Sequence, residues 1–239
     1  MLQRRLMETI TNNVANADTT GYKKEHLVSH SFDEVIIERI KDSHVLGQTR
    51  LVGPLNLGTQ IDQLYIDFTD GSLEGTERST DLALMGNVFF VVRTAAGEQY
   101  TKTGAFYIDQ LGYLVDGEGH FLLGENGPIY VGGPNFSVDE FGGVRSGDEY
   151  IDRIRVASFA DNGALRKQGG NLFLSLEAPQ AETQPYRIFQ GFLEASNVDI
   201  GREMVDMLTV FRTYETNQRM LTMIDETVGK AVNEIGRLR

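Results

Sequence analysis

The sequence predicts an α+β fold: N- and C-terminal helices pairing as a coiled-coil-like element, with a β-rich middle domain of short antiparallel strands. Three features of the 239 residues predict it. Leu2, Leu6 and Ile10 recur four apart, one stripe of an amphipathic helix. Most glycines and all five prolines punctuate the chain between residues 47 and 191, where short apolar runs alternate with turns. From residue 197 onward there is no proline, and Met204, Met207, Phe211, Tyr214, Leu221, Ile224 and Val228 fall on steps of three and four, passing through Gln218. That spacing is a heptad-like seam with one extra three-residue step at Leu221–Ile224.

Taken in order, the chain divides into a helical segment with a junction motif (1–40), a connecting segment with a strand (41–79), a β-rich outer domain (80–185), and a returning strand with a long helix (186–239). In the first segment Ser31-Phe-Asp-Glu34 has capping-box spacing, and Phe32, Val35, Ile36 and Ile40 then make an apolar helical face. Residues 41–62 read as loop or short strand. In the outer domain the run Val88–Val92 reads as a strand, "DGEGHFLLG" (116–124) as a hairpin turn, 153–159 and 171–176 as strands around a turn at Asp161-Asn162-Gly163, and 177–185 as an exit loop. "FTDGSLEGT" (68–76) and "FQGFLEAS" (189–196) echo each other at the two crossings of the β region, so these segments are expected to pair side by side as a neck.

A final helix of about 35–40 residues is roughly 55 Å long. An N-terminal helix of about 15 residues cannot cover it, so much of its seam is left for other chains.

Composition narrows the function. Lys+Arg 22 against Asp+Glu 34 gives 22 − 34 = −12, which disfavours a nucleic-acid surface or a polybasic membrane patch. The absence of cysteine excludes disulfides, thiolate metal sites and Cys nucleophiles. No apolar run approaches the roughly 18–20 residues of a membrane span. No apolar stretch follows the two N-terminal arginines, so export, if any, is expected without a cleaved signal.

Four histidines occur, His26, His30, His44 and His120. His26 and His30 share helical spacing, but no H-E-x-x-H accompanies them, and they read as solvated. Gly117 and Gly119 lack the spacing of a phosphate cradle. Asp109, Asp116 and Asp139 fit no calcium loop, and Ser146-Gly-Asp148 has no histidine base. No catalytic, cofactor or metal residue is expected. A soluble β-domain binding module or hydrolase with a helical dimerisation tag is the reading from a different class. It would need a concave site with converging polar groups, and the sequence offers none.

The residues also carry a resemblance. "NNVANADTTGYKK" (12–24) resembles the N-terminal signature of flagellar axial proteins, the rod and hook subunits, through Asn12, Asn13, Ala15, Asn16, Thr19, Gly21, Tyr22 and Lys23. "DLALMGNVFFVV" is similar to a second family stretch, with Asn87-Val88 where glycine is usual, and "YTKTGAF…DQLGYLV" to a third. "QGFLEASNVDIGREMVDMLTVFRTYETNQRML" resembles the C-terminal block, through Gly191, Leu193, Glu194, Ser196, Asn197, Val198, Glu203, Met204, Arg212, Tyr214 and Glu215.

The resemblance implies a structural subunit of the bacterial flagellar basal-body rod. Such a subunit is exported by the flagellar type III apparatus and polymerises through its terminal helices into a helical tube outside the cytoplasmic membrane. Its partners would be copies of itself and other rod or hook proteins, with no nucleic acid, small-molecule substrate or membrane insertion. "FTDGSLEGTERSTDLAL" is similar to the distal rod type and "ENGPIYV" to the proximal; the distal type is preferred, with proximal-rod or hook-type subunits as alternatives. Further helix usually precedes the position matched by Met1-Leu2, a departure that implies a shortened inner helix or a trimmed chain. The matched residues, with Met207, Phe211, Leu221, Ile224 and Val228 of the seam, are the expected assembly contacts. Asn12 to Asn16 are expected to cap the first helix, turn the chain and touch neighbouring subunits.

Overall fold

The central strand of the molecule, Val88–Thr94, opens with an unbroken apolar run, Val88–Val92, because both faces of that stretch are buried. Side chains alternate across a strand. Val88, Phe90 and Val92 therefore enter one core with Leu82, Leu84, Phe106, Leu114 and Leu122. Phe89 and Val91 enter a second with Tyr100, Phe159, Leu165 and Phe173, on which Phe68 packs. In this computed structural model, residues 2–31, 35–39, 50–55, 58–175, 178–179 and 185–236 are described.

The chain forms two compact units. One comprises 13–24 and 66–200. Here Val88–Thr94 pairs antiparallel with Gly97–Thr101 on one side and with Phe121–Leu122 and Val156–Ser158 on the other. The sheet continues outward through Leu172–Ser175 to Leu165–Gly169, and through Leu114–Val115 to Tyr107–Ile108. A three-stranded meander, Phe136–Val138, Gly143–Ser146 and Glu149–Arg153, adds Phe136 and Val144 to the first core. Two ribbons return the chain. Arg187–Gln190 lies against Leu82–Met85, and Phe192–Glu194 against Leu73–Gly75. The second ribbon joins the two echoed segments, so the expected neck forms.

The other unit comprises 1–12, 25–65 and 201–239. It contains two-stranded pairings of Glu25–Ser31 with Thr59–Ile66 and of Val35–Arg39 with Arg50–Leu55. Helix α1, Leu2–Ala15, begins in it, and helix α2, Ile200–Gly236, runs through it for most of its 37 residues. On α1, Ile10 is buried and Leu2 and Leu6 are half-buried, as the four-residue stripe requires.

The expected helix over 31–40 is corrected: Glu25–Ser31 and Val35–Arg39 are strands. Val35, Ile36 and Ile37 are consecutive β-branched residues, which favour a pleated ribbon over a helix. Phe32, Asp33, Glu34 and Ile40, and so most of the capping box, lie outside the described residues. His26 and His30 share a strand and are both exposed. The strand expected over 153–159 is shorter, Val156–Ser158, because the meander ends at Arg153 and Ile154 bridges to Gly124. The turn at 161–163 is a short 3-10 helix whose Gly163 amide donates to the Asp161 carboxylate at 2.7 Å. The turn at 116–120 joins Leu114–Val115 to Phe121–Leu122 as a hairpin, and the Asp116 amide donates to the His120 carbonyl at 2.9 Å. Most of the expected exit loop lies outside the described residues.

The second core depends on one ring. Phe89 meets Phe68, Phe159 and Phe173 at centroid distances of 5.2, 5.8 and 5.9 Å. Phe89→Ala should cost about 3–5 kcal/mol in urea unfolding followed by tyrosine fluorescence. A loss below about 1 kcal/mol would mean that this face of the sheet is not packed.

Candidate functional site

The segments expected to carry function converge where α1 ends. Helix α1 stops at Ala15, and the chain turns through Asn16–Gly21 on backbone bonds from Asn16 to Asn13 and from Thr19 to Asn16. The Thr19 hydroxyl reaches the Asn16 carboxamide at 3.4 Å. Gly21 has φ +67°, and a Cβ there would lie 2.6 Å from the Lys102 carbonyl, so the position suits glycine alone. The next residue, Tyr22, is buried and donates its hydroxyl to Asn13 Oδ1 at 3.1 Å. The Lys167 ammonium lies 4.0 Å from the centroid of its ring.

Lys23 is the pivot. Its side chain is 0% exposed, and Nζ donates to Glu194 Oε1 at 2.5 Å and to the Thr69 carbonyl at 2.7 Å. The Glu194 side chain is 1% exposed and also accepts from the Gly71 amide at 2.8 Å, while its carbonyl accepts from the Gly21 amide at 2.8 Å. Asn197 completes the closure. Its Oδ1 accepts from the Lys24 amide at 2.8 Å, and its Nδ2 donates to the Asp67 carbonyl at 2.9 Å. Thus the residues after α1, the segment 67–71 that leads into the β region and the strand that leaves it are tied by charged and backbone groups.

A second buried cation stands beside this pair. Lys102 Nζ donates to the carbonyls of Leu84 at 3.1 Å and Gly86 at 2.6 Å, and Asp70 Oδ1 lies 3.5 Å away. Burial pushes the Lys102 ammonium below the usual lysine pKa, with the Glu194 carboxylate opposing that shift.

The expected contact residues separate into two groups. Asn13, Gly21, Tyr22, Glu194 and Glu203 are buried in the chain, whereas Asn12 and Ala15 are exposed. Asn16, Thr19, Gly191, Leu193, Ser196, Asn197 and Val198 are half-buried. On α2 only Met207 of the seam is half-buried. Met204, Phe211, Tyr214, Leu221, Ile224 and Val228 are exposed, as are Arg212 and Glu215. The seam is open, with Phe211 at 47%, Leu221 at 63% and Val228 at 55%. Sequence reasoning missed Lys102 and Asp70, which carry no spacing signal, and it missed that Asn13 serves Tyr22.

Among the described residues no cluster of three or more His, Asp or Glu could hold a metal, and no helix is long and apolar enough to cross a membrane. A surface groove of about 620 Å³ lies along Tyr130–Asn135 and Glu149–Ile151. Its lining holds no base positioned on a nucleophile.

Two outcomes check the joint. Lys23→Met leaves the Glu194 carboxylate buried without its cation and should cost about 3–5 kcal/mol in urea unfolding. For Lys102 the folded pKa lies below the unfolded one, so the folded state sheds its proton first as pH rises. Stability due to this residue therefore rises with pH between the two values. Unfolding of the parent chain across alkaline pH should show that upward contribution, and Lys102→Met should lack it; parallel profiles would contradict it.

The joint is also where comparison with known proteins converges. Residues 1–23 match the family "Flagella basal body rod protein", ending at Lys23. Residues 190–234 match "Flagellar basal body rod FlgEFG protein C-terminal", a stretch that includes Glu194 and nearly all of α2, and residues 83–146 match "Flagellar hook protein FlgE/F/G D1 domain". The chain is 31% identical to the flagellar hook-basal body complex protein FlhO of Bacillus subtilis, over 99% of this chain and 95% of that protein. It is 32% identical to the flagellar basal-body rod protein FlgF of Caulobacter vibrioides, over 100% and 95%. It is 30% identical to the flagellar basal-body rod protein FlgG of Bacillus subtilis, over 95% and 92%. With both partners of the buried pair inside matched segments and similarity running the length of the chain, the protein belongs to the family of flagellar basal-body rod proteins.

Proposed function

We propose that this chain is a non-catalytic subunit of the distal rod that polymerises through its terminal helices. The observation that carries the reading is the open apolar seam of α2. Phe211, Leu221, Ile224 and Val228 stand about half exposed or more on one helix. Exposed apolar surface of this length marks an association site. Val205, Met220 and Met223 are exposed as well and fall off the seam, so α2 offers apolar surface on more than one side. A helix surrounded by neighbouring subunits needs that distribution, and one buried against a single partner does not. The helix meets its own polar needs locally: Thr209, Thr213, Thr216, Thr222 and Thr227 return their hydroxyls to the carbonyls four residues earlier.

The geometry of growth follows from symmetry. A head-to-tail contact that does not close generates a helical filament. In this reading α1 and α2 pair between subunits as the inner, coiled-coil-like layer, and the β-rich unit faces outward. Segment 68–84, similar to the distal type, supports distal rod over the proximal-rod and hook-type alternatives. Copies of the chain and other rod or hook proteins would be its partners. The flagellar type III apparatus would carry it across the cytoplasmic membrane without a cleaved signal. Until neighbours cover it, the 14-residue α1 is marginal in water as an isolated helix, which limits premature polymerisation.

Sedimentation and negative-stain imaging of the chain test this reading, alone and with neighbouring rod proteins. Phe211→Ser/Leu221→Ser should abolish concentration-dependent assembly while leaving the urea midpoint of the β-rich unit unchanged. If the parent chain stays monomeric at every concentration and the variant binds neighbouring rod proteins equally well, assembly through α2 is wrong.

A further inference from the structure

The sequence holds two Asn-Gly steps, Asn126-Gly127 and Asn162-Gly163. Such a step is chemically weak. Glycine has no Cβ to screen its amide nitrogen and admits backbone conformations closed to other residues, so that nitrogen can reach the carboxamide carbon before it. The nitrogen attacks Asn Cγ, and a C–N bond forms. The Cγ–Nδ2 bond breaks, and ammonia leaves with the amide proton. Water then opens the succinimide at either carbonyl, giving aspartate or isoaspartate. The net exchange is a water in and an ammonia out, with no oxidant or reductant.

In the folded chain both carboxamide nitrogens are tied to another side chain. Asn126 Nδ2 donates to Asp152 Oδ1 at 2.9 Å, and the Asn126 amide donates to Oδ2 at 3.1 Å. Asn162 Nδ2 donates to Asn87 Oδ1 at 2.5 Å, across 75 residues of sequence. Asn87 sits in the tight turn before Val88–Thr94, where the Val88 amide donates to the Gly86 carbonyl at 2.9 Å. The assembly reading gives Asn87 no task.

Three features hold Asn162 unreactive. Its carboxamide swings onto the Gly163 amide only by giving up the bond to Asn87. The Gly163 amide donates to the Asp161 carboxylate at 2.7 Å, so losing its proton would set a negative nitrogen against a negative oxygen. Among the described residues, the buried Asn162 Oδ1 has no hydrogen-bond partner, so charge developing there during the attack finds no donor. Water still reaches the step, because Asn162 and Gly163 are only half-buried.

We propose that Asn162-Gly163 is a latent deamidation site that the fold keeps closed, and that Asn87 is the residue holding it. The inference goes beyond the assembly reading and does not rest on it. The site opens when the chain unfolds or when the contact with Asn87 is lost. Its product is disruptive at a defined place. A carboxylate at 162 has no Nδ2 to offer Asn87. Isoaspartate also lengthens the backbone just before Leu165, which is buried in the second core and begins the edge strand Leu165–Gly169.

The test incubates the full chain at mildly alkaline pH and reads aspartate and isoaspartate at 126 and 162 by peptide mapping. In the folded parent, product at 162 should accumulate more slowly than in the same chain unfolded in guanidinium chloride. Asn87→Ala removes one hydrogen bond, which frees the carboxamide about fivefold, and should speed deamidation at 162 by about that factor while leaving 126 unchanged. Asn87→Asp keeps an acceptor oxygen in place and should hold 162 at the parent rate. Equal rates at 162 in the folded and unfolded parent overturn the proposal. So does a folded Asn87→Ala chain whose rate at 162 matches the parent's or rises no more than at 126, and so does a faster rate at 162 in Asn87→Asp. If Asn87→Ala does not fold, the Asn87→Asp rate and the comparison of folded with unfolded parent decide.

Discussion

A lysine and a glutamate 171 residues apart, with almost no exposure to water between them, set the architecture. Taking two ions out of water is costly, and such a pair is retained only when further groups satisfy it. Here the Thr69 carbonyl serves Lys23 Nζ and the Gly71 amide serves Glu194 Oε1, while Oε2 is buried without a hydrogen bond, and both serving groups come from the segment that leads into the β region. The pair can therefore form only when three stretches distant in sequence have met. Its second neighbour, Lys102, is held by carbonyls at the end of the Leu82–Met85 strand and by Asp70. Placing two cations and two carboxylates beside the same ribbons makes the joint intolerant of rearrangement. That intolerance gives a unique geometry more than it gives net stability.

The rest of the molecule separates stability from association. The unit around Val88–Thr94 buries both faces of its central strand and closes with ribbons from its own chain. It needs no partner to be dry inside. Helix α2 is the opposite case. Its threonine hydroxyls return to its own carbonyls, yet most of its apolar side chains meet water. A substitution in the cores therefore acts on folding, and one on the seam acts on what the helix can join. The joint belongs to the first kind although it lies in the sequence segments that also mark the family.

Much of this was legible in the sequence. Glycine turns, the apolar run at Val88–Val92 and the steps along α2 report backbone geometry directly, and the echo of 68–76 with 189–196 correctly foretold a ribbon. Residues 31–40 misled because Val35 and Ile36 fit a helical face while the run Val35–Ile37 is β-branched; tertiary pairing with Arg50–Leu55 decided for the strand. Lys102 and Asp70 were illegible for a different reason. A lysine inside a turn-rich β segment looks solvated, and only the fold brings Leu84 and Gly86 carbonyls to its ammonium. Long-range polar closure leaves no periodicity to read.

The N-terminal motif consequently has two faces. Asn13, Tyr22 and Lys23 point inward: the amide receives the phenol, the lysine meets Glu194, and all three are buried. Asn12 and Ala15 point outward. A motif with such a division is not a single binding surface. Its inward residues fix where the first helix ends and how the chain turns, and a change there would alter assembly only by altering the fold. In the proposed assembly, contact with a neighbouring subunit falls to the outward residues and to the open seam of α2. The distinction follows from burial. A side chain with no exposed surface in the folded chain cannot recognise another molecule, however closely its sequence position matches a motif.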